Sequence, residues 1–318
     1  MQRETEFVET PYGSFYGFCG DRTTQQLREH GAHQRNELAM ILSLIGEDDD
    51  VIDVGAHIGT FCVPIARHVK NGGHVFTFEP VSEHTRLLEQ NIQLNGMSDI
   101  ITNCCSIVTN IPGRYVAQSR RRNTGWTTFR LEDGRGATDV PCITLDRWWQ
   151  QQREASTLKR RVRLMKIDVE GMELNVLKSG RQFLETDRPI LYLEVARRHM
   201  ASAGNRVAEL DDLLRDLGYH FFLNLGPRNS TDDCFRLGRF THLIQGGHFF
   251  DVLAIQPDDP RYPKDYLEIG PTVRRLNYRR FIAALNFREI KKSLRRQLGM
   301  QERLKRSTAP NLESKIPS

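Results

Sequence analysis

The chemistry this sequence can offer sits at a few glycines and acids that end apolar runs. Asp53-Val54-Gly55-Ala56-His57-Ile58-Gly59-Thr60 follows the β-type run VIDVG (51–55) and opens a helix-like stretch. Glycine at a strand-to-helix turn lets the backbone come close to a ligand, and a helix start presents unpaired N–H groups. The spacing is GxxxG. Without the GxGxxG of dinucleotide enzymes an NAD oxidoreductase is set aside, and there is no lysine to make a phosphate loop. Glu79 closes the next run, FTFEP, 20 residues after Gly59. An acid in that place can accept hydrogen bonds from both hydroxyls of a ribose and would repel an added 2′-phosphate. The expected ligand is an adenosine with free hydroxyls. Cys104 and Cys105 end a third run, where an adenine ring would rest on small apolar side chains. Two more acids, Asp168 in VRLMKID (162–168) and Glu194 in ILYLEV (190–195), end apolar runs where an unpaired carboxylate is costly.

These residues need a frame that brings strand ends together. Between residues 51 and 256, seven β-type runs alternate with helix-like stretches: VIDVG, HVFTF (74–78), IITNCC (100–105), VRLMKID, ILYLEV, YHFFL (219–223) and DVLAIQ (251–256). The first five are nearly all apolar, as befits parallel strands covered on both faces. Helices are expected over 59–69, 83–94, 173–178 and 206–217, the last with an apolar stripe of Val207, Leu210, Leu213, Leu214 and Leu217. The fold class is therefore α/β, doubly wound, with helices on both faces of a parallel sheet and ligands at the carboxyl ends of its strands. Residues 112–149, with four glycines and three tryptophans, interrupt the alternation and read as an excursion over the site, followed by a short helix from Leu145. Three segments are expected: a lead-in and lid (1–45), the main domain (46–256) and a basic extension (257–318).

The ordered set VIDVGAHIGTF, VFTFEP, NIQLNG, PCITLD, LMKIDVEGMELNVLKSG and RPILYLEV resembles the FkbM family of S-adenosylmethionine-dependent methyltransferases. The likeness runs from about Gly20 to Gln256, and KIDVEGMEL is its most distinctive part. It implies a Rossmann-like seven-strand methyltransferase sheet with an antiparallel last strand. It also implies S-adenosyl-L-methionine as cofactor and methylation of a hydroxyl on a small molecule or sugar. By motif position, Asp53, Gly55 and Gly59 would meet the methionine part of the cofactor and Glu79 its ribose; Ala56, His57, Thr60, Cys104 and Asp168 complete the expected cofactor set. His57 departs from the family pattern, which usually has asparagine there, though imidazole can still donate or accept.

Methyl transfer is an in-line displacement, so the protein must align acceptor and methyl and remove the acceptor proton. Asp168 is the first candidate, as base or as electrostatic partner of the sulfonium, with Glu194 the second. Glu170 can be catalytic or can cap the following helix. Strand alternation puts Lys166, Asp168 and Glu170 on one side. His199 is expected on a solvated Arg-Arg-His face, and His33 on the surface or in a lid. A divalent ion between Asp168 and Glu170 is conceivable, but no His-rich metal site is visible and none is expected.

The net charge of +5 is unevenly spread. Residues 274–306 hold twelve Lys or Arg against two Glu, which leaves the rest of the chain at −5. Phe287, Ile290, Leu294 and Leu298 repeat at helical spacing among these basic residues, as in a basic amphipathic helix that could contact a peripheral membrane surface or a protein. Nucleic acid, gripped by this tail and by Arg120–Arg122, is a less favoured partner, and a cofactor-binding protein without catalysis is a third reading. The longest apolar stretch, Leu38–Ile45, is too short to cross a bilayer and reads as a packed helix, and the first residues show no apolar signal core. Six scattered cysteines suggest reduced, buried thiols, and the expected location is cytoplasmic.

Overall fold

The computed structural model describes residues 3–120, 123–131, 140–158, 160–229 and 235–269. Arg121, Arg122 and the basic tail lie outside the described residues. Strands β1 (Thr5–Thr10) and β2 (Gly13–Phe18) form an antiparallel hairpin, followed by helices α1 (Arg22–His30) and α2 (Arg35–Ser43). The alternation then begins with β3 (Asp50–Val54), α3 (Cys62–Val69), β4 (Val75–Phe78), α4 (Ser82–Leu94) and β5 (Ile101–Cys104). Next, β6 (Ile107–Val108) precedes a second antiparallel hairpin, β7 (Tyr115–Arg120) and β8 (Asn123–Leu131), and pairs in parallel with β9 (Cys142–Ile143) beyond it. Helix α5 (Leu145–Glu154) leads to β10 (Val162–Ile167), α6 (Glu173–Lys178), α7 (Arg181–Asp187) and β11 (Ile190–Ala196). The described chain finishes with α8 (Arg197–Ser202), α9 (Val207–Asp216), β12 (His220–Asn224), β13 (Leu237–Phe240), β14 (Phe249–Ile255) and β15 (Leu267–Glu268).

The main sheet runs β15-β13-β12-β14-β11-β10-β3-β4-β5. From β11 to β5 every neighbour is parallel, and β14 is antiparallel to both β11 and β12. The seven expected strands and the antiparallel last one are thus present. Two short edge strands widen the sheet to nine, and the pairing of β15 with β13 carries it to Glu268, past the expected boundary at 256. All residues of β3, β4 and β11 are buried, which explains their unbroken apolar runs. On one side Cys62, Val63, Ile65, Ala66 and Val69 of α3 join Leu38 and Ile41 of α2 in a single core against the sheet.

The lead-in is tied down by polar contacts. Asp21 caps α1 through its Oδ1, which accepts from the Thr23 N–H at 2.8 Å. Asn91 of α4 accepts from the Tyr16 N–H and donates to the carbonyls of Tyr16 and Ile58, which locks the first hairpin and the turn after β3 to one helix. All five described cysteines are free, but only Cys62 is buried; Cys104, Cys105 and Cys142 sit at strand ends and in loops, so the expectation of buried thiols fails there. Among the described residues no helix is long and apolar enough to cross a membrane.

Candidate active site

The turn after β3 is shaped by a close approach. Gly55 has φ +86°, and a Cβ there would stand 1.9 Å from the Asp168 carbonyl oxygen, so only glycine lets the ends of β3 and β10 meet. Its N–H and that of Ala56 donate to the Phe78 carbonyl, which ties the turn to β4. His57 also adopts a left-handed φ of +53°, uncommon for a residue with a Cβ. Three contacts hold it there. Its N–H donates to Glu79 Oε2 at 2.8 Å, its Nε2 lies 2.8 Å from Thr124 Oγ1, and its ring packs edge-on to His84 with centroids 4.4 Å apart. Thr124 Oγ1 also donates to Asp21 Oδ2, so its oxygen accepts from His57 and the ring carries its proton on Nε2. Burial holds the His57 pKa well below its ordinary value, and the imidazole is neutral.

Glu79 is buried at the end of β4. Its Oε1 accepts from the Val81 N–H at 2.9 Å and lies 3.3 Å from His84 Nδ1, while Oε2 takes the His57 N–H. A carboxylate has about four lone-pair sites, so acceptor capacity remains for ribose hydroxyls. These groups border a cavity at the carboxyl edge of the sheet. Thr124 and Gly125, from the second hairpin within the 112–149 segment, line it.

Across the cavity, Lys166 of β10 is buried, with Nζ 3.2 Å from Asp53 Oδ1 and 3.6 Å from Asp168 Oδ2. Burial opposes its charge, but the carboxylates of Asp53 and Asp168 outweigh that and raise its pKa. Asp168 is partly open to the cavity, at 24% side-chain exposure. Glu170 lies on the loop beyond, at φ +52°, and its Oε2 is 2.5 Å from His199 Nδ1. It caps nothing. The N-cap of α6 is Met172, which makes no side-chain cap bond, and Glu173 Oε1 instead accepts from the N–H groups of Val169 and Gly171 in the loop before the helix. Burial pushes Glu170 up to about 6 and Glu173 up to about 7. Glu194 is raised well above the ordinary carboxyl range, by burial and then by Asp168 and Glu170. The parallel register pairs Ile167 with Leu193, so Asp168 and Glu194 leave adjacent strands side by side.

Of the expected residues, Gly55, Ala56, His57, Thr60, Glu79, Asp168 and Glu170 line the cavity. Asp53 stands behind it and acts on it through Lys166. Gly59 and Cys104 do not line it; Ser106, Ile107 and Val108, just past β5, take the place assigned to Cys104. Glu194 also lies behind the cavity wall. His199 is not on a solvated face, because α8 folds it against Glu170. His33 borders the cavity instead of being a plain surface residue, and burial followed by Arg228 lowers its pKa to about 3. Lys166, set on the side of Asp168 but given no role, and His84 and the Asp21–Thr124 link were not assigned to the site. A lysine inside an apolar run was the available signal for the first.

A doubly wound sheet with an antiparallel last strand, a glycine turn after its first parallel strand and an acid ending the next define the Rossmann-like methyltransferase class. The family model described as the methyltransferase FkbM domain matches residues 53–221, more than half of the chain. The chain belongs to this family of S-adenosylmethionine-dependent methyltransferases. Among solved structures it is similar to a methyltransferase FkbM from Methylobacillus flagellatus KT at 15% identity and a TM-score of 0.39. That match covers 66% of this chain and only 44% of the other, so this chain spans less than half of that protein's length. It is also similar to a fibrillarin/Nop5p complex at 15% identity, with 80% and 94% of the two chains covered and a TM-score of 0.41. For M. jannaschii TYW2 in complex with AdoMet the values are 13% identity, 80% and 85% coverage, and a TM-score of 0.37. Comparison with curated proteins gives no match.

Proposed function

We propose that the protein transfers the methyl group of S-adenosylmethionine to a hydroxyl of a small molecule or sugar. The observation that carries this reading is the placing of Asp168 and Glu170 on the wall of the cavity that Gly55, His57 and Glu79 border. A neutral alcohol attacks poorly, so a hydroxyl acceptor needs a carboxylate beside the reacting centre, and this wall supplies it. In this reading Glu79 holds the ribose hydroxyls, and the glycine turn after β3 lies against the methionine end. The adenine lies against Ile107 and Val108. S-adenosylmethionine brings a methyl already activated by its positive sulfur. Asp168 faces the acceptor side, where it takes the hydroxyl proton or offsets the sulfonium charge, and Lys166 fixes its carboxylate. Thr124 and Gly125 cover the cavity and exclude water from it.

The test is incubation with methyl-labelled cofactor and a panel of hydroxylated acceptors against amine and thiol analogues. Label on an oxygen supports the reading. Transfer to the amine or thiol members alone overturns it.

A further inference from the structure

Three side chains from three elements converge just behind the wall of the cavity. Glu170 comes from the loop after β10, Glu194 from the end of β11 and His199 from α8. One ligand-type atom from each lies within 4.8 Å of the others. Their meeting depends on Gly171, at φ +110°, where a Cβ would stand 2.4 Å from the His199 carbonyl carbon. No larger residue lets the β10 loop and α8 come this close. Asn205 fastens the same place by donating to the Gly171 carbonyl at 2.8 Å. The cluster is thus built into the fold rather than gathered from a mobile surface.

A second observation concerns Glu194. It is 5% exposed, its carboxyl turns toward Glu170 and His199, and its buried Oε2 receives no backbone or cationic donor; the group that meets it is a second carboxyl, that of Glu170. Two buried carboxyls face to face are costly unless a shared proton or a positive charge lies between them, and the imidazole nitrogen of His199 beside them completes a donor set for a cation. Arg228, whose positive charge reaches Glu194, is already taken by Asp251, which sits opposite Glu194 in the β11–β14 register. Lys166 is likewise committed, to Asp53 and Asp168.

We propose that Glu170, Glu194 and His199 bind a divalent first-row cation. Two carboxylates neutralise its charge, and one imidazole nitrogen favours a manganese- or zinc-type ion over magnesium, which prefers all-oxygen donors. Bonds of about 2.1 Å put donor atoms roughly 3 Å apart, so the three groups draw together on binding. Three protein donors leave coordination positions open, and Glu170 carries the ion to the cavity wall beside Asp168. There, resting on the hydroxyl-transfer reading above, the ion takes the acceptor oxygen as a ligand and lowers the pKa of its proton, which Asp168 receives. The O–H bond breaks to Asp168 while the oxygen gains the methyl carbon, and the sulfur keeps the electron pair of the broken S–CH₃ bond.

The test uses the full-length protein stripped with a chelator and titrated with Mn²⁺, Zn²⁺ and Mg²⁺ by calorimetry, with Mn²⁺ also followed by electron paramagnetic resonance. One equivalent of Mn²⁺ or Zn²⁺ should bind, at least tenfold tighter than Mg²⁺, and Glu194→Gln and His199→Ala should each weaken it by about 10-fold or more. In case these variants misfold, Mn²⁺ should broaden the His199 ring resonances of the wild-type protein before those of His242. Absence of saturable binding, equal affinity in a folded Glu194→Gln protein, or His199 resonances no more affected than the rest would each overturn the site. Ion binding with methyl label on amines or thiols alone leaves the site standing and removes the hydroxyl reading. Oxygen methylation at full rate in a metal-free protein does the reverse for the ion's role.

Discussion

At the scale of single residues, Asp168 and Glu194 separate two roles that the sequence alone left joined. Asp168 is on the cavity wall and paired to Lys166, whereas Glu194 is buried behind it. Asp168→Asn should lower turnover by ~10²–10⁴, the usual worth of a positioned base, and should also weaken the cationic cofactor. Glu194→Gln should lower turnover while leaving cofactor affinity nearly unchanged, because no part of it reaches the cavity. Turnover on an identified acceptor and calorimetry with the cofactor check both, and wild-type turnover in both variants would move proton removal elsewhere. Glu79→Ala should cost ~1.5–3 kcal/mol of S-adenosylhomocysteine affinity, the range for a lost charged hydrogen bond. Since Glu79 also holds the His57 and Val81 amides, Glu79→Gln is the sharper variant, and unchanged affinity in folded forms of both would break the ribose assignment. The position of Glu79 on the cavity wall was legible because an acid ending an apolar run is conspicuous, whereas Asp53, inside its run, stands behind the wall. That of His199 was not legible, since its role comes from α8 turning back onto the β10 loop and meeting Glu170.

At the scale of elements, the strands that the sequence marked best are those with both faces covered. β3, β4, β10 and β11 are buried along nearly their whole length because helices lie on either side, and only a strand covered in this way stays apolar on both faces. The hairpin β1–β2 escaped notice because it buries few apolar side chains, only Val8 in β1, while Gly13 and Gly17 fill two of the buried places in β2, and the short strands β13 and β15 because four and two residues carry no period. Helices α7 and α8 span seven and six residues, too few for an apolar stripe to repeat. The loop between β10 and α6 depends on Glu173, whose carboxyl is fully buried and receives two backbone N–H groups at 3.3 and 3.0 Å. Glu173→Ala would strand both donors, at ~1–3 kcal/mol each, while Glu173→Gln keeps an acceptor in place. Urea unfolding should therefore show a clear loss for the alanine variant and a much smaller one for glutamine. Equal losses would mean that packing of the side chain, not its two hydrogen bonds, holds the loop.

At the scale of the whole molecule, the carboxyl edge of the sheet gathers titratable groups from most of its elements into one poorly hydrated region. Asp21 joins the first hairpin and α1 to the second hairpin through Thr124, and Thr124 reaches the cofactor turn through His57. Acid therefore acts on the fold in two directions. Unfolded His33 takes up a proton near 6.5, whereas the folded ring resists until about 3, so stability held above pH 6.5 is lost as the pH falls toward 3. Glu173 works the other way. Folded, it keeps its proton up to about 7, and unfolded it gives it up near 4.5, so the stability it lends below pH 4.5 is lost as the pH rises through 7. The two contributions offset each other in the wild-type profile, which is why a flat curve would say little about either group. A difference between two proteins isolates one of them. His33→Gln removes the ring that resists protonation and keeps a polar group near Thr60, whose Oγ1 lies 3.5 Å from His33 Nδ1. Each pH unit of unequal proton uptake is worth about 1.4 kcal/mol, so between about pH 6.5 and 5 the wild type should lose about 2 kcal/mol relative to the variant. Urea titrations of both proteins at about pH 7.5, 6.0 and 5.0, without cofactor, measure that difference. Parallel curves at all three values would show that His33 is hydrated enough to titrate normally and does not form part of a dry cavity wall.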